Sequence, residues 1–272
     1  MMKYFDPHIH VYSRTVDDYK SMATAGVRAI VEPSFWLGSK RRYPESHLDY
    51  FEHVLSFEPK RAKEHGIEHY ACLGMNPKEA NDLELAHAVI DALPEFLKRD
   101  NCVALGETGF DIISKEEEEI MRRQLRLAKD LNMPVMVHTP HQNKRDGTIR
   151  TVEILKEEGL DPDQVILDHN TLDTIDVAVE YGGWSGMTIY PGKISIEGVI
   201  EILDRYGTDR MMINTAADWG PADPLSVPKA ATEMLKQGYA EERIQKLVWN
   251  NPIQYYKQSG KLKLQEGKGV TS

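Results

Sequence analysis

Residues 101–140 read NCVALGETGFDIISKEEEEIMRRQLRLAKDLNMPVMVHTP. The stretch opens on a short apolar run, 102–105, that ends in Gly and Glu. From 115 to 132 it turns charged, and Ile120, Leu125, Leu127, Ala128 and Leu131 fall on one side of a helix. It closes on a second apolar run, 133–138, that ends in His138. A strand, an amphipathic helix and a strand in this order make one βα unit and the start of the next.

The same grammar extends in both directions. Strand-like runs occur near 2–10 (MKYFDPHIH), 25–34, 67–77, 164–170, 182–190 and 210–220, giving eight in all. Helical spacing fills the intervals 15–24, 44–65, 81–99, 148–158, 172–181 and 195–206, and a last helical region covers 225–258. Eight units of about 34 residues match an α/β protein built as a single (β/α)8 TIM barrel, with an open doubly wound sheet as the alternative. No linker divides the chain, so the barrel is expected over 1–259. The polar, aperiodic segment 260–272 is expected as a flexible tail.

Composition narrows the function classes. A net charge of −10 argues against a protein that holds nucleic acid by a broad basic surface. No apolar run approaches the roughly 18–20 residues of a membrane span. The N-terminus lacks the apolar core of a signal peptide, so a cytoplasmic location is expected. Cys72 and Cys102 lie in apolar runs and read as buried free thiols. There is no phosphate-binding GxxxxGK, no GxGxxG opening a helix and no GxSxG elbow.

Metal-capable side chains recur where the chain leaves a strand. His8 and His10 alternate onto one face at the end of the first run. Glu107, His138, His169 and Asp218 end the fourth, fifth, sixth and eighth runs. In a barrel these ends converge on one mouth, and a nitrogen and oxygen donor set suits zinc or a similar divalent ion. His47, His53, His65, His69 and His87 read as solvated or capping residues, while His141 is ambiguous. Lys144, Arg145 and Lys193, with Lys40, Arg41 and Arg42, are candidate anion contacts. Trp36, Tyr43, Tyr190 and Trp219 are candidate aromatic walls for a substrate.

The ordered motifs FDPHIH, GETGFD, PVMVHTP, ILDHN, AADWG and NNPIQYY resemble the TatD family of metal-dependent hydrolases, among the amidohydrolase-like barrels. The resemblance runs to about Tyr256. It implies two divalent metal ions, zinc first and manganese or magnesium as alternatives, with His8 and His10 on one, His138 and His169 on the other, and Glu107 bridging. It also implies that Asp218 contacts the first metal and the nucleophilic water. Two departures bear on substrate. Pro140 stands where many members carry an arginine, and NTAADWG replaces the usual residues around the last aspartate. The expectation is hydrolysis of an ester-type bond, phosphoesters favoured, in a small or medium-sized substrate. A 3′ exonuclease on single-stranded nucleic acid and a non-catalytic metal-binding scaffold are the alternatives, and oligomeric state is open.

Overall fold

A computed structural model describes residues 2–266. Among them eight strands lie side by side in chain order, every neighbouring pair parallel: β1 (Tyr4–Asp6), β2 (Val27–Pro33), β3 (Glu68–Leu73), β4 (Cys102–Gly109), β5 (Val135–His138), β6 (Val165–Asp168), β7 (Trp184–Thr188) and β8 (Met211–Asn214). The seam between β8 and β1 is closed just beyond the strands. Ala216 N donates to His8 O (2.8 Å), His10 N donates to Ala217 O (2.9 Å), and the Asp6 carboxylate accepts from the Thr215 hydroxyl (2.6 Å). This is the (β/α)8 barrel, its seam bridged by these bonds beyond the strand ends.

The helices that return the chain are α1 (Val16–Ala25), α2 (Pro44–Ser56), α3 (Glu58–Glu64), α4 (Leu83–Leu97), α5 (Lys115–Asp130), α6 (Lys144–Glu157), α7 (Ile175–Tyr181), α8 (Ile196–Tyr206) and α9 (Ser226–Lys236), followed by α10 (Glu241–Gln245) and α11 (Asn251–Tyr256). Strand alternation separates two cores. In β2, Ala29 and Val31 enter the barrel interior with Phe5, Cys72, Met136, Ile166 and Met212, whereas Ile30 packs outward against the helices. The bottom of the interior is sealed by the C-terminal region: Trp249 and Tyr256 pack on Phe5, and the Tyr256 hydroxyl reaches up to Pro7 O (2.8 Å). Asn251 donates to Thr208 O and Met211 O (both 2.7 Å), satisfying carbonyls at the entry to β8. The NNPIQYY stretch is therefore part of the barrel floor.

Three expectations need correction. Residues 260–266 are no loose tail: Leu262 is buried, the indole of Trp249 donates to Gln265 O (3.1 Å), and the Lys261 ammonium donates to Leu97 O. The rest of that expected tail, 267–272, lies outside the described residues. The helix expected from 148 begins at Lys144, one turn earlier, with Gly147 inside that turn because a side chain there would meet the Pro140 ring at 2.3 Å. On α5, Leu131 is exposed and Leu127 only half-buried; Ile120, Met121, Leu125 and Ala128 make the buried stripe. No helix among the described residues is long and apolar enough to cross a membrane.

Candidate metal centre and active site

Strand register brings the donors together. His138 sits opposite Asp168 across β5 and β6, which places His169, the next residue, at the same level. In β4 the register against β5 slips between Leu105 and Thr108, and this irregularity carries Glu107. Such irregularities re-aim side chains at barrel rims. His169 itself has φ +62°, a left-handed conformation costly for a non-glycine residue and tolerated mainly where the surroundings enforce it.

His8, His10, Glu107, His138 and His169 are all buried and form one cluster. Glu107 Oε2 lies 2.9 Å from His138 Nδ1, 3.0 Å from His169 Nε2 and 3.7 Å from His8 Nε2. His8 Nε2 and His10 Nε2 are 3.0 Å apart. Glu107 thus stands between two histidine pairs, with its other oxygen held by Asn76 Nδ2 (3.0 Å). Burial works to raise the Glu107 carboxyl, but His138 and His8 hold it well below the usual range. Burial pushes His10 and His169 down, helped by His8 for the first and Lys193 for the second, so both rings are neutral.

A buried chain of hydrogen bonds sets the tautomers. Asn214 Nδ2 donates to Asp168 Oδ1 (2.9 Å), which leaves Asn214 Oδ1 to accept from the Thr188 hydroxyl (2.8 Å). Thr188 Oγ1 therefore accepts from His169 Nδ1–H (2.6 Å), and the lone pair of His169 Nε2 faces the Glu107 carboxylate. Two acceptors at 3.0 Å with no proton between them call for a cation. His8 Nδ1–H donates to Asp168, and its Nε2 faces Glu107 and His10. His138 Nε2, also buried, has no hydrogen-bond partner. Ligand atoms of His8, Glu107 and His169 lie within 4.8 Å of one another. The residues present therefore fit a divalent ion with mixed nitrogen and oxygen donors.

Asp168, which the sequence reading passed over, is the residue that orients both rings. Burial would raise its carboxyl, yet His169 and His8 keep it well below the ordinary value. Space for it comes from β7: a side chain at Gly186 would sit 2.1 Å from Asp168 Oδ1. Its signal was present in ILDHN, since a carboxylate beside a metal-capable histidine is a common orienting partner.

Asp218 lines the mouth but stands apart from the close cluster. Its Oδ1 accepts from Gly220 N (2.7 Å) and from the Tyr190 hydroxyl (3.2 Å). Burial and Asp218 push the Tyr190 phenol up to about 12, so it stays a donor.

The cluster forms the floor of a cavity of about 400 Å³. Trp36, Tyr190, Trp219 and Lys193, expected from sequence, line it, together with Phe35, Lys78 and His141, which were unforeseen or left open. Phe35 stacks on His10 (centroids 3.9 Å apart, planes at 18°), and Trp219 packs on both Phe35 and Trp36. Burial and Lys193 push His141 down to about 3.

Other expected contacts lie elsewhere. Arg145 belongs to α6 and pairs with Asp176 (2.7 Å), outside the cavity. Lys144 folds back on Thr139 Oγ1 (2.9 Å) and the Pro140 carbonyl. Arg41 is buried against Glu79, Lys40 faces Asp82 (3.5 Å), and Tyr43 is two-thirds exposed away from the mouth. Of the five histidines read as solvated or capping, His47 and His69 are buried instead: His69 Nε2 meets Glu32 Oε2 (2.8 Å), and His47 lies 3.6 Å from Glu79.

A parallel barrel whose strand ends converge four histidines and a glutamate on one buried point is a metal-binding barrel of the kind found among metal-dependent hydrolases. The chain belongs to the TatD-related DNase family, whose model matches residues 5–257. It is 32% identical over 260 residues to an uncharacterized metal-dependent hydrolase of Methanocaldococcus jannaschii, covering 93% of this chain and 99% of that one. The TatD-like protein of Archaeoglobus fulgidus superposes with a TM-score of 0.79 at 27% identity, covering 93% of this chain and all of the other. A phosphotriesterase homology protein from Escherichia coli, complexed with phosphate in its active site, shares the fold at 16% identity with a TM-score of 0.68, over 94% of this chain and 99% of that one.

Proposed function

We propose that the protein hydrolyses an ester-type bond, a phosphoester in preference, in a small or medium-sized substrate, using two divalent cations, zinc first. The observation that carries this reading is the pairing of unprotonated acceptors, His169 Nε2 and Glu107 Oε2, at 3.0 Å beneath a cavity lined by Asp218 and two lysines. His8 and His10 would hold one ion, His138 and His169 the other, with Glu107 between them. When bound, such ions supply a water ionised near neutral pH and polarise the electrophilic oxygen.

The protein's own groups do the rest. Asp168 fixes His8 with its proton on Nδ1, while the Asn214–Thr188 relay does the same for His169. Asp218 accepts the proton of the attacking water, held in place by Tyr190 and Gly220 N. Water oxygen bonds to phosphorus, the ester P–O bond breaks with its electron pair to the leaving oxygen, and that oxygen is protonated from solvent. The phosphate in the Escherichia coli homology protein and the basic residues at this mouth favour phosphorus over carbon as the centre attacked.

Nucleic acid is the less favoured substrate, because the chain carries a net −10 charge and Arg145 is paired away from the mouth. Two buried free thiols agree with a cytoplasmic location. The test is a panel of phosphate, carboxylate and lactone esters with zinc- and manganese-loaded protein. Turnover of phosphoesters lost in Asp218→Asn supports the reading, whereas an inert loaded protein that binds a partner tightly would favour a scaffold.

A further inference from the structure

The charges around the mouth are unequal in one respect. Lys78 forms an ion pair with Asp111 (3.1 Å), Lys144 donates to Thr139 and Pro140, and Arg145 is paired with Asp176. Lys193, on the loop between β7 and α8, has no carboxylate within 4.0 Å among the described residues; Glu107, Asp168 and Asp218 act on it from farther off, and its Nζ lies over the Tyr190 ring at 5.3 Å. Its Nζ lies 3.2 Å from His169 Nδ1, but that nitrogen carries the proton donated to Thr188. Donor faces donor, so beyond the Tyr190 ring face the ammonium has hydrogens left for an acceptor in the cavity. A partly buried ammonium that lines a cavity and has no carboxylate in direct contact is placed to receive an anionic oxygen.

Another part of the lining has different chemistry. Trp36 and Trp219 stand at the rim over Phe35, with Trp219 43% exposed although its ring contacts Tyr12, Phe35 and Trp36. An apolar, flat-sided surface of this kind suits a ring.

We propose that Lys193 is the residue that binds the substrate's phosphoryl oxygens and that Trp219, with Trp36, takes a flat ring on the leaving group. The substrate class is then a phosphate ester of a ring-bearing alcohol, aryl or heteroaryl. The assignment rests on the phosphoester reading above.

The test is calorimetric titration of metal-loaded protein with methylphosphonate and phenylphosphonate, which are not hydrolysed. Lys193→Met should weaken both by at least about tenfold, with Lys193→Arg recovering most of the loss. Trp219→Ala should weaken phenylphosphonate about fivefold and leave methylphosphonate unchanged. Metal content and a thermal melt show whether each variant keeps its fold and donors.

Equal affinity in Lys193→Met and wild type overturns the lysine's role, and parallel loss of both ligands in Trp219→Ala overturns the ring site. Hydrolysis of p-nitrophenyl phosphate by the wild type separates the two levels. If it is cleaved while Lys193→Met binds normally, only this inference fails. If no phosphoester is cleaved and neither phosphonate binds, the phosphoester reading fails with it.

Discussion

Asp168 makes no direct claim on a substrate, yet it fixes the imidazole tautomers on which the centre depends. Removing it in Asp168→Ala leaves His8 Nδ1 without its acceptor and breaks the relay to His169, so affinity for zinc should fall about 10- to 100-fold in a competitive chelator titration. Asp218→Asn differs in kind: metal content should stay within error of wild type while kcat drops about 100-fold or more. The positions of the five clustered donors were legible because each follows an apolar run; Asp218, read by the same rule, lines the mouth apart from them. Asp168 and Phe35 were not read from those same runs. Their roles depend on cross-strand register and on the space left by Gly186, which only the folded barrel supplies.

The loop from Trp36 to Tyr43 carries part of the substrate wall, and its anchor is an ion pair. Arg41 donates through Nε to Glu79 Oε1 (3.0 Å), its guanidinium lies over Tyr50 (5.2 Å), and a further N–H reaches Phe35 O (3.0 Å). Burial works to raise the Glu79 carboxyl, but His47 and Arg41 bring it down to about 2. A carboxylate depressed in the fold stabilises it fully above its unfolded value, roughly 4.3, and that contribution fades as pH falls toward the folded value. Urea denaturation should therefore show Glu79→Ala losing about 3 kcal/mol at pH 7, with the gap to wild type shrinking between about pH 4.3 and 2. Sequence placed this loop, but the single helix expected over 44–65 breaks at Phe57 into α2 and α3, and His47 was read as solvated or capping because a helix face shared with charged residues does not reveal which neighbour will bury it. The early start of α6 has a similar cause. The run KRDG looks like a loop, yet Gly147 is there to clear Pro140, and that turn of helix carries Arg145 away from the mouth.

At the scale of the molecule the barrel is stabilised from both ends. Its floor includes the segment after Ser259, where Leu262 is buried and Leu264 packs on the interior core. A chain ending at Ser259 should lose about 2–4 kcal/mol of stability, measured by denaturant unfolding. Hydrophobic periodicity showed the eight units but not this strap, since two leucines alternating with lysines resemble any polar tail until something apolar is placed beneath them.

The top of the barrel is stabilised by whatever satisfies its facing acceptors. Metal content by elemental analysis, on wild type and on His8→Ala/His10→Ala, tests the central claim most directly. The account predicts about two equivalents of a divalent ion per chain, falling to one or none in the variant. Wild-type protein that holds no metal and takes up neither zinc nor manganese would contradict it.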